Sequence, residues 1–262
     1  MTRLQRTLSR LSVEGEYDRR VGVIGGGIGF PGQPALVGQA ALRSGADDVR
    51  VLVSEEIHAI VAGYSPNLLV SRYPGERFGE AATERAVEFG SEVDALVIGP
   101  GFADADAAKV RETISRVDAA IVVDALAIGP TLEGEWDDDG LSETVFTPDE
   151  NEKGKIVDAY GDLETFSTET GAVVVSTGDV DEIIADGERL INETGTSALS
   201  VAGTGDTMTG IVASFLAQGM DRTEAAELGV WILGKAGELA TADQGPGVVA
   251  TDVIERIPDT IR

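Results

Sequence analysis

The chain has no cysteine, and His58 is the only histidine among its 262 residues. That excludes disulfides, a thiolate nucleophile and cysteine-held metal. It also leaves nothing from which to build a histidine-based triad or a zinc site. Lysine is scarce, at four residues, and arginine is the main base. No basic patch exists to displace counterions from a phosphate backbone, so nucleic acid is not an expected partner. No apolar run approaches the ~20 residues of a membrane-spanning helix, and no leader pattern opens the chain. A cytoplasmic protein with no membrane partner is expected.

Acid is what the chain has in excess. Asp and Glu total 46 against 20 Lys and Arg, a net charge of −26. The acids are spread along the whole chain and do not form a tail, which points to a hydrated surface suited to a very salty cytoplasm; such charge speaks to solubility and not to fold. The length suits one large α/β domain. With no repeat and no low-complexity linker, a single domain over 1–262 is expected.

Hydrophobic periodicity predicts a short docking helix within 1–20, carried by Leu4, Leu8 and Leu11, and then alternating strands and helices. Strands are expected at 21–24, 49–53, 67–73, 94–98, 119–123, 144–146 and 172–175. Helices are expected at 34–44 (closed by Gly45), 55–62, 76–91, 104–116 and 161–170, with an acidic loop at 133–139. A hairpin is expected from 183 to 191 around Asp186-Gly187. The last third reads as helical at 206–218, 222–241 and 251–257. This alternation argues for a mostly parallel sheet covered on both faces.

Glycine, proline and acid collect after the strands, in GGGIGFPG, GPG, VVDA, TPDENE, STGD and AGTGD. In an open α/β sheet those are the carboxyl ends, where ligands bind. The densest signal is Ala202-Gly203-Thr204-Gly205-Asp206, which opens the apolar segment 207–218 and is therefore placed at a helix N-terminus. Free backbone N–H groups and the helix dipole suit an anion there. A carboxylate beside a phosphate is repelled unless it has a task, such as taking a proton from an attacking hydroxyl. The same residue also reads as a plain N-cap.

Two other patterns are weighed against this one. Gly27-x-Gly29-x-x-Gly32, with Glu55 past the next strand, formally matches a dinucleotide fingerprint. Pro31 and Pro34 interrupt that turn, and a glycine-rich wall for another ligand fits better. No GxxxxGK[ST] occurs. Asp149 and Glu152, three apart after a strand, suit Mg²⁺ in phosphoryl transfer, and equally suit the first turn of a helix.

Together these residues resemble the ribokinase-like superfamily. Within it they look like the ADP/ATP-dependent NAD(P)H-hydrate dehydratases, a carbohydrate kinase-like family, from about residue 17 to the end. The most specific segments are IGGGIGFPGQPALVGQAALRSGADDVRV, VIGPG, and the spacing from Asn192 through Thr194-Gly195 to GTGD. The resemblance implies a three-layer ribokinase-like fold, with a mostly parallel central sheet flanked by helices. It implies ATP or ADP across Ser176, Thr177, Gly178, Asp179, Val180, Gly203, Thr204 and Gly205, with Mg²⁺. Substrate would lie near Gly29, Gly32, Pro34, Gly99, Gly101, Asp124, Asp149 and Asn192, and Asp206 would be the catalytic base. Homo-oligomers are a habit of the family.

The sequence departs from the pattern where Asp149 replaces a usual histidine and Ser176 a usual lysine. Val13-Glu14-Gly15 stands for His-Lys-Gly. Three readings follow: a dehydratase that restores hydrated NADH and NADPH, a small-molecule kinase of the same fold, and a nucleotide-binding protein with little turnover. The first two share one step, the activation of a hydroxyl towards phosphate.

Overall fold

Valine-rich runs at the positions expected to be strands do pair side by side. The computed structural model describes residues 18–134, 136, 140–178 and 180–261. The leucines of the expected N-terminal helix and most of the acidic loop lie outside the described residues. In chain order the strands are β1 (Arg20–Ile24), β2 (Asp48–Ser54), β3 (Leu69–Tyr73), β4 (Ala95–Ile98), β5 (Ala120–Val123), β6 (Thr144–Phe146), β7 (Val173–Ser176), β8 (Asp181–Ala185) and β9 (Glu188–Asn192). They form one sheet in the order β3-β2-β1-β4-β5-β6-β7-β8-β9. Pairing is parallel through β7, and β8 and β9 add an antiparallel hairpin. Its turn is the expected Asp186-Gly187, both at positive φ (51° and 75°), the geometry of a type I′ connection.

The helices are α1 (Gln33–Arg43), α2 (His58–Ala62), α3 (Glu80–Gly90), α4 (Ala107–Arg116), α5 (Ile128–Leu132), α6 (Glu150–Tyr160), α7 (Leu163–Thr170), α8 (Thr204–Ala217), α9 (Arg222–Gln244) and α10 (Ala250–Ile261). One apolar layer joins alternate strand residues such as Val23, Val51, Val97 and Val122 to α1, α8, α9 and α10. The opposite layer joins Ile24, Ile98, Val123 and Phe146 to α3, α4, α6 and α7. Each fully buried Val or Ile contributes on the order of 1.5–3 kcal/mol, so the continuous β-branched runs are explained by burial on both faces. Phe146 meets Phe166 edge to face with centroids 5.0 Å apart, tying β6 to α7.

The long helix α8 passes α1 at backbone contact. A Cβ at Gly210 would overlap the carbonyl oxygen of Val37 and come within 2.8 Å of the Ala40 methyl. A mid-helix glycine costs about 1 kcal/mol in propensity, and here it permits the close crossing that seats α8 on the sheet.

Several boundaries differ from expectation for local reasons. Residues 76–79 are not helical, because Phe78 bridges to Ala105 and bonds the backbone of Asp104 and Asp106 before α3 begins. The helix predicted at 55–62 is only His58–Ala62, since Ser54 holds Glu56 and Ile57 in a turn. Helix α6 was anticipated only as the alternative reading of Asp149 and Glu152: Gly154 lies within it and Ile156 is its one buried residue, so the segment shows little periodicity.

Candidate active site

The register of the parallel strands aligns Ile24, Ile98, Val123 and Phe146 across the sheet. The next residue of each strand continues the row: Gly25, Gly99, Asp124 and Thr147. Backbone bonds carry the ladder one step further, from Gly99 N to Ile24 O (2.9 Å), Asp124 N to Ile98 O (3.0 Å) and Thr147 N to Val123 O (3.1 Å). Strand order reverses between β1 and β4, and a crevice outside the carboxyl ends at such a point is the usual ligand site of open α/β sheets.

The glycines of this row pack backbone on backbone. Gly26 N donates to Pro100 O at 2.8 Å. Gly101, at φ +73°, lies against Phe30, whose carbonyl oxygen would be 2.5 Å from any added Cβ. Gly99, at φ +120°, abuts the carbonyl oxygen of Asp124 so closely that a Cβ would overlap it. These contacts fix the loops after β1, β4 and β5 against one another. Gly29 and Gly32 instead have no neighbour around a Cβ and form an open wall. Pro34 is buried and packs against Gly26, 3.2 Å from where a Cβ there would lie.

Helix α8 has the N-terminal features that suit an anion. Its N-cap is Gly203 at φ +93°, wedged so that a Cβ would press on Leu36 and Ala250. No side chain caps it, and Gly205 is open on its outer side. The N–H groups at the second and third positions, Gly205 and Asp206, thus lack intrahelical partners. The Thr204 side-chain hydroxyl is buried, the residue being 9 % exposed, and has no hydrogen-bond partner among the described residues. An unpaired buried hydroxyl is costly to leave so, and one beside free amides fits a phosphate oxygen.

Asp206 is half-buried in the first turn of α8. Burial, then the charges of Asp124 and Glu152, raise its proton affinity well above the ordinary carboxylate range. Asp124 is only 7 % exposed, and burial and Glu152 raise its proton affinity also. Three groups oppose that rise: the hydroxyls of Thr147 and Thr209 and the Ala125 N–H, the last donating at 2.9 Å. Ala125 itself is held at φ +48°, a left-handed conformation that costs a non-glycine residue about 1–2 kcal/mol.

Asp149 and Glu152 form a capping box at the start of α6. Asp149 accepts from the Glu152 N–H at 2.8 Å, and Glu152 accepts from the Asp149 N–H at 2.9 Å. The helix-start reading of this pair therefore describes its local structure. Glu152 nonetheless faces Asp124 and Asp206 electrostatically, with burial raising its own proton affinity. Among the described residues no three His, Asp or Glu side chains group closely enough to hold a metal by themselves.

The loop after β7 lies beside this end of the sheet. Ser176 is buried, Thr177 half-buried, and Gly178 and Val180 exposed; Asp179 lies outside the described residues. Gly178 N donates to Asp181 at 3.3 Å, and Asn192 donates to the other Asp181 oxygen at 3.1 Å. Asn192 thereby braces the 176–180 loop from β9. The 194–199 loop is seated on α9 through Gly234 and Gly237, where side chains would collide with Thr194 and Leu199.

With the geometry in place, a scan of protein families finds one that fits nearly the whole fold: the profile described as NAD(P)H-hydrate dehydratase matches residues 21–259. The chain belongs to the NAD(P)H-hydrate dehydratase family. This family member is 64 % identical to an "ADP-dependent (S)-NAD(P)H-hydrate dehydratase" of Haloterrigena turkmenica, covering 100 % of both chains. Among solved structures it resembles a ribokinase-like superfamily protein of Enterococcus faecalis, with TM-score 0.81, 21 % identity and coverage of 95 % and 90 % of the two chains. It also resembles the ADP/ATP-dependent NAD(P)H-hydrate dehydratase of Bacillus subtilis, co-crystallised with ATP/Mg²⁺, with TM-score 0.76, 20 % identity and coverage of 99 % and 97 %. The three-layer ribokinase-like fold is thus shown.

Thr209 and Ala125 were absent from the sequence reading of this family member. Thr209 had a signal, since it follows Asp206 by three residues and so shares its helix face. Ala125 had none, because nothing in an alanine's identity marks a left-handed backbone.

Proposed function

We propose that this protein restores NAD(P)H from its hydrated form with ADP as phosphate donor, in a single domain spanning 1–262. The observation that carries the reading is Asp206: a half-buried carboxylate of raised proton affinity, set directly beside the free amides of an α8 terminus. The 64 % identical relative named as ADP-dependent supports the donor.

A terminal phosphate fits at the Gly205 and Asp206 amides, with the unpaired Thr204 hydroxyl available to one of its oxygens. Mg²⁺ fits as an ion carried on the phosphates, because it keeps several waters and takes few protein ligands. Glu152, and Asp149 through water, are the carboxylates on hand for it. When bound, the metal neutralises charge building on the transferred group.

Asp206 accepts the proton of the substrate ring hydroxyl as that oxygen attacks phosphorus. A base works best with a proton affinity near the working pH, and burial together with Asp124 and Glu152 moves Asp206 in that direction. The new P–O bond forms as the bond from phosphorus to the AMP oxygen breaks; the phosphate then leaves the ring with the C–O electron pair, which a free hydroxyl does poorly, and the neighbouring ring carbon gives up a proton as the C=C bond of NAD(P)H forms. Gly29 and Gly32 offer the substrate a wall without side chains.

The test is conversion of hydrated NADH to NADH by purified protein in concentrated KCl with Mg²⁺, with ADP and ATP supplied in parallel. Asp206→Asn should lower turnover by roughly 10²–10⁴-fold while leaving the fold intact. Retention of most activity in that variant would overturn the assignment of the base.

A further inference from the structure

The loops after β7 and β9 are tied to each other by side chains. Gly178 N–H donates to Oδ1 of Asp181 at 3.3 Å. Asn192 Nδ2 donates to Oδ2 of the same carboxylate at 3.1 Å and to the Thr194 carbonyl oxygen at 3.3 Å. The Thr194 hydroxyl donates to Asn192 Oδ1 at 3.0 Å. Asp181, Asn192 and Thr194 are each half-buried. Asp181 and Asn192 also face each other as the last pair of the β8–β9 ladder, so their contact closes the open end of that hairpin.

The hydrogen-bond inventory shows how fully this contact is used. An asparagine side chain offers two N–H groups and one carbonyl oxygen, and an ionised carboxylate only accepts. Both N–H groups and the oxygen of Asn192 are engaged within the protein, and each Asp181 oxygen receives one N–H. Gly178 makes no other hydrogen bond among the described residues. The opposite end is anchored on α9. Gly195 N–H donates to Glu238 at 3.1 Å, and the Thr196 and Thr241 hydroxyls lie 3.2 Å apart. A Cβ at Gly234 would strike Thr194. The tie therefore runs without a gap from α9 through Thr194, Asn192 and Asp181 to the backbone of Gly178.

We propose that Asp181, Asn192 and Thr194 are positioning residues that latch the loop after β7 to the loop leading into α8, and thereby set the affinity for ADP without touching it. This rests on the reading that the nucleotide lies across 176–180 and 203–205. A loop already held in its bound shape loses less freedom when the ligand arrives, and the difference appears as affinity. Breaking the tie releases Gly178, while the Gly205 and Asp206 amides and the Asp206 carboxylate keep their places on α8. The latch acts on nucleotide binding and leaves the chemical step alone.

Asn192→Asp removes both donors and sets a second carboxylate against Asp181. ADP binding, measured by calorimetry with Mg²⁺ in concentrated KCl, should weaken on the order of tenfold, as for loss of one charge-assisted hydrogen bond. KM for ADP should rise by the same factor, and kcat at saturating ADP should change far less. Asp181→Asn combined with Asn192→Asp reverses donor and acceptor across the same gap at unchanged net charge, and should recover most of the lost affinity. Wild-type affinity in Asn192→Asp, a double variant as weak as the single one, or a fall in kcat matching the loss of affinity would overturn the proposal. A rise in KM for hydrated NADH with ADP affinity unmoved would place Asn192 against the substrate and overturn it also. If Asn192→Asp does not fold, Asp181→Asn alone loses one of the two acceptors and should weaken ADP in the same direction.

The affinity readout needs no turnover, which keeps it separate from the proposed function. If wild type binds ADP and leaves hydrated NADH unchanged, that function fails, and the latch stands or falls with the measured affinities. A wild type that takes up no ADP would overturn the latch together with the nucleotide site. Hydrogen exchange at the Gly178 amide, followed by NMR, reads the tie directly. Exchange should be faster in Asn192→Asp and slow again in the double variant. Equal rates in wild type and Asn192→Asp would refute the latch.

Discussion

Gly99→Ala tests whether the row of residues at the carboxyl edge is held by contact between backbones. Gly99 sits at φ +120°, and a Cβ there would overlap the carbonyl oxygen of Asp124, with the Ala127 methyl only 2.7 Å away. The backbone conformation alone costs an alanine about 1–3 kcal/mol. Forcing the Asp124 loop outward adds about 1–3 kcal/mol of overpacking. A loss of about 2–6 kcal/mol follows, and at roughly 2–4 °C per kcal/mol for a chain of this size, a Tm lower by about 4–24 °C. Gly29→Ala is the matched control: Gly29 lacks a positive φ and has nothing within 4 Å of an added Cβ, so its stability should stay within about 0.5 kcal/mol of wild type. Both are measured by thermal unfolding in concentrated KCl. Equal Tm values for the two variants would refute the claim that Gly99 exists to let β4 approach Asp124.

Other expectations follow from the same geometry. Because Asp206 keeps its proton to higher pH when folded than when unfolded, through burial and then Asp124 and Glu152, the native state binds more protons across that window, and wild-type stability falls as pH rises through it. Asp206→Asn removes this penalty and should be more stable than wild type by roughly 1 kcal/mol at pH 8, discounted for partial exposure, with the gain gone near pH 4; urea titrations at the two pH values would show it. For the same reason the acid limb of the wild-type pH–rate profile should lie above the ordinary carboxylate range, and a limb near that of a free aspartate would contradict the effect of burial and the neighbouring acids. At Ala125, φ +48° makes Ala125→Gly at least as stable as wild type, whereas a β-branched Ala125→Val should lose about 2 kcal/mol or more, again by urea unfolding.

Much of this was readable in the chain. The strand positions, the parallel sheet, the hairpin at Asp186-Gly187 and the placement of Asp206 at a helix start all follow from periodicity and turn residues, because burial on both faces demands unbroken β-branched runs. The site was readable as a set of loops. What was not readable is which side chains turn inward. Pro34 sits in a ligand-facing sequence but packs beneath Gly26. Asp149 and Glu152 carry a spacing that serves a metal and a helix cap equally, and the structure shows the cap. Thr209 is one buried threonine in a helix whose inner face also holds Thr207 and Ser214. Its hydroxyl meets Thr147 across 62 residues of sequence, a contact that no local pattern encodes.

The distribution of charge partners separates surface from site. On the surface, cations are shared between acids: Arg116 bridges Glu84 and Glu112, Lys109 bridges Glu80 and Glu112, and Arg189 bridges Glu164 and Glu182. Such exposed pairs are each worth 0–1 kcal/mol, and at molar salt, where the Debye length is about 3 Å, they do little beyond contact range. At the site, Asp124, Asp206 and Glu152 oppose one another, and burial shields them from that same salt. A protein of net charge −26 repels a nucleotide at long range only where salt is dilute. In concentrated salt, recognition of a nucleotide falls to groups in direct contact, which under the proposed function are the open amides at the start of α8 and the Thr204 hydroxyl. Under the proposed function, the repulsion left among the three carboxylates is relieved by what the ligand brings, a cation on its phosphates and a proton from its hydroxyl, both delivered beside Asp206.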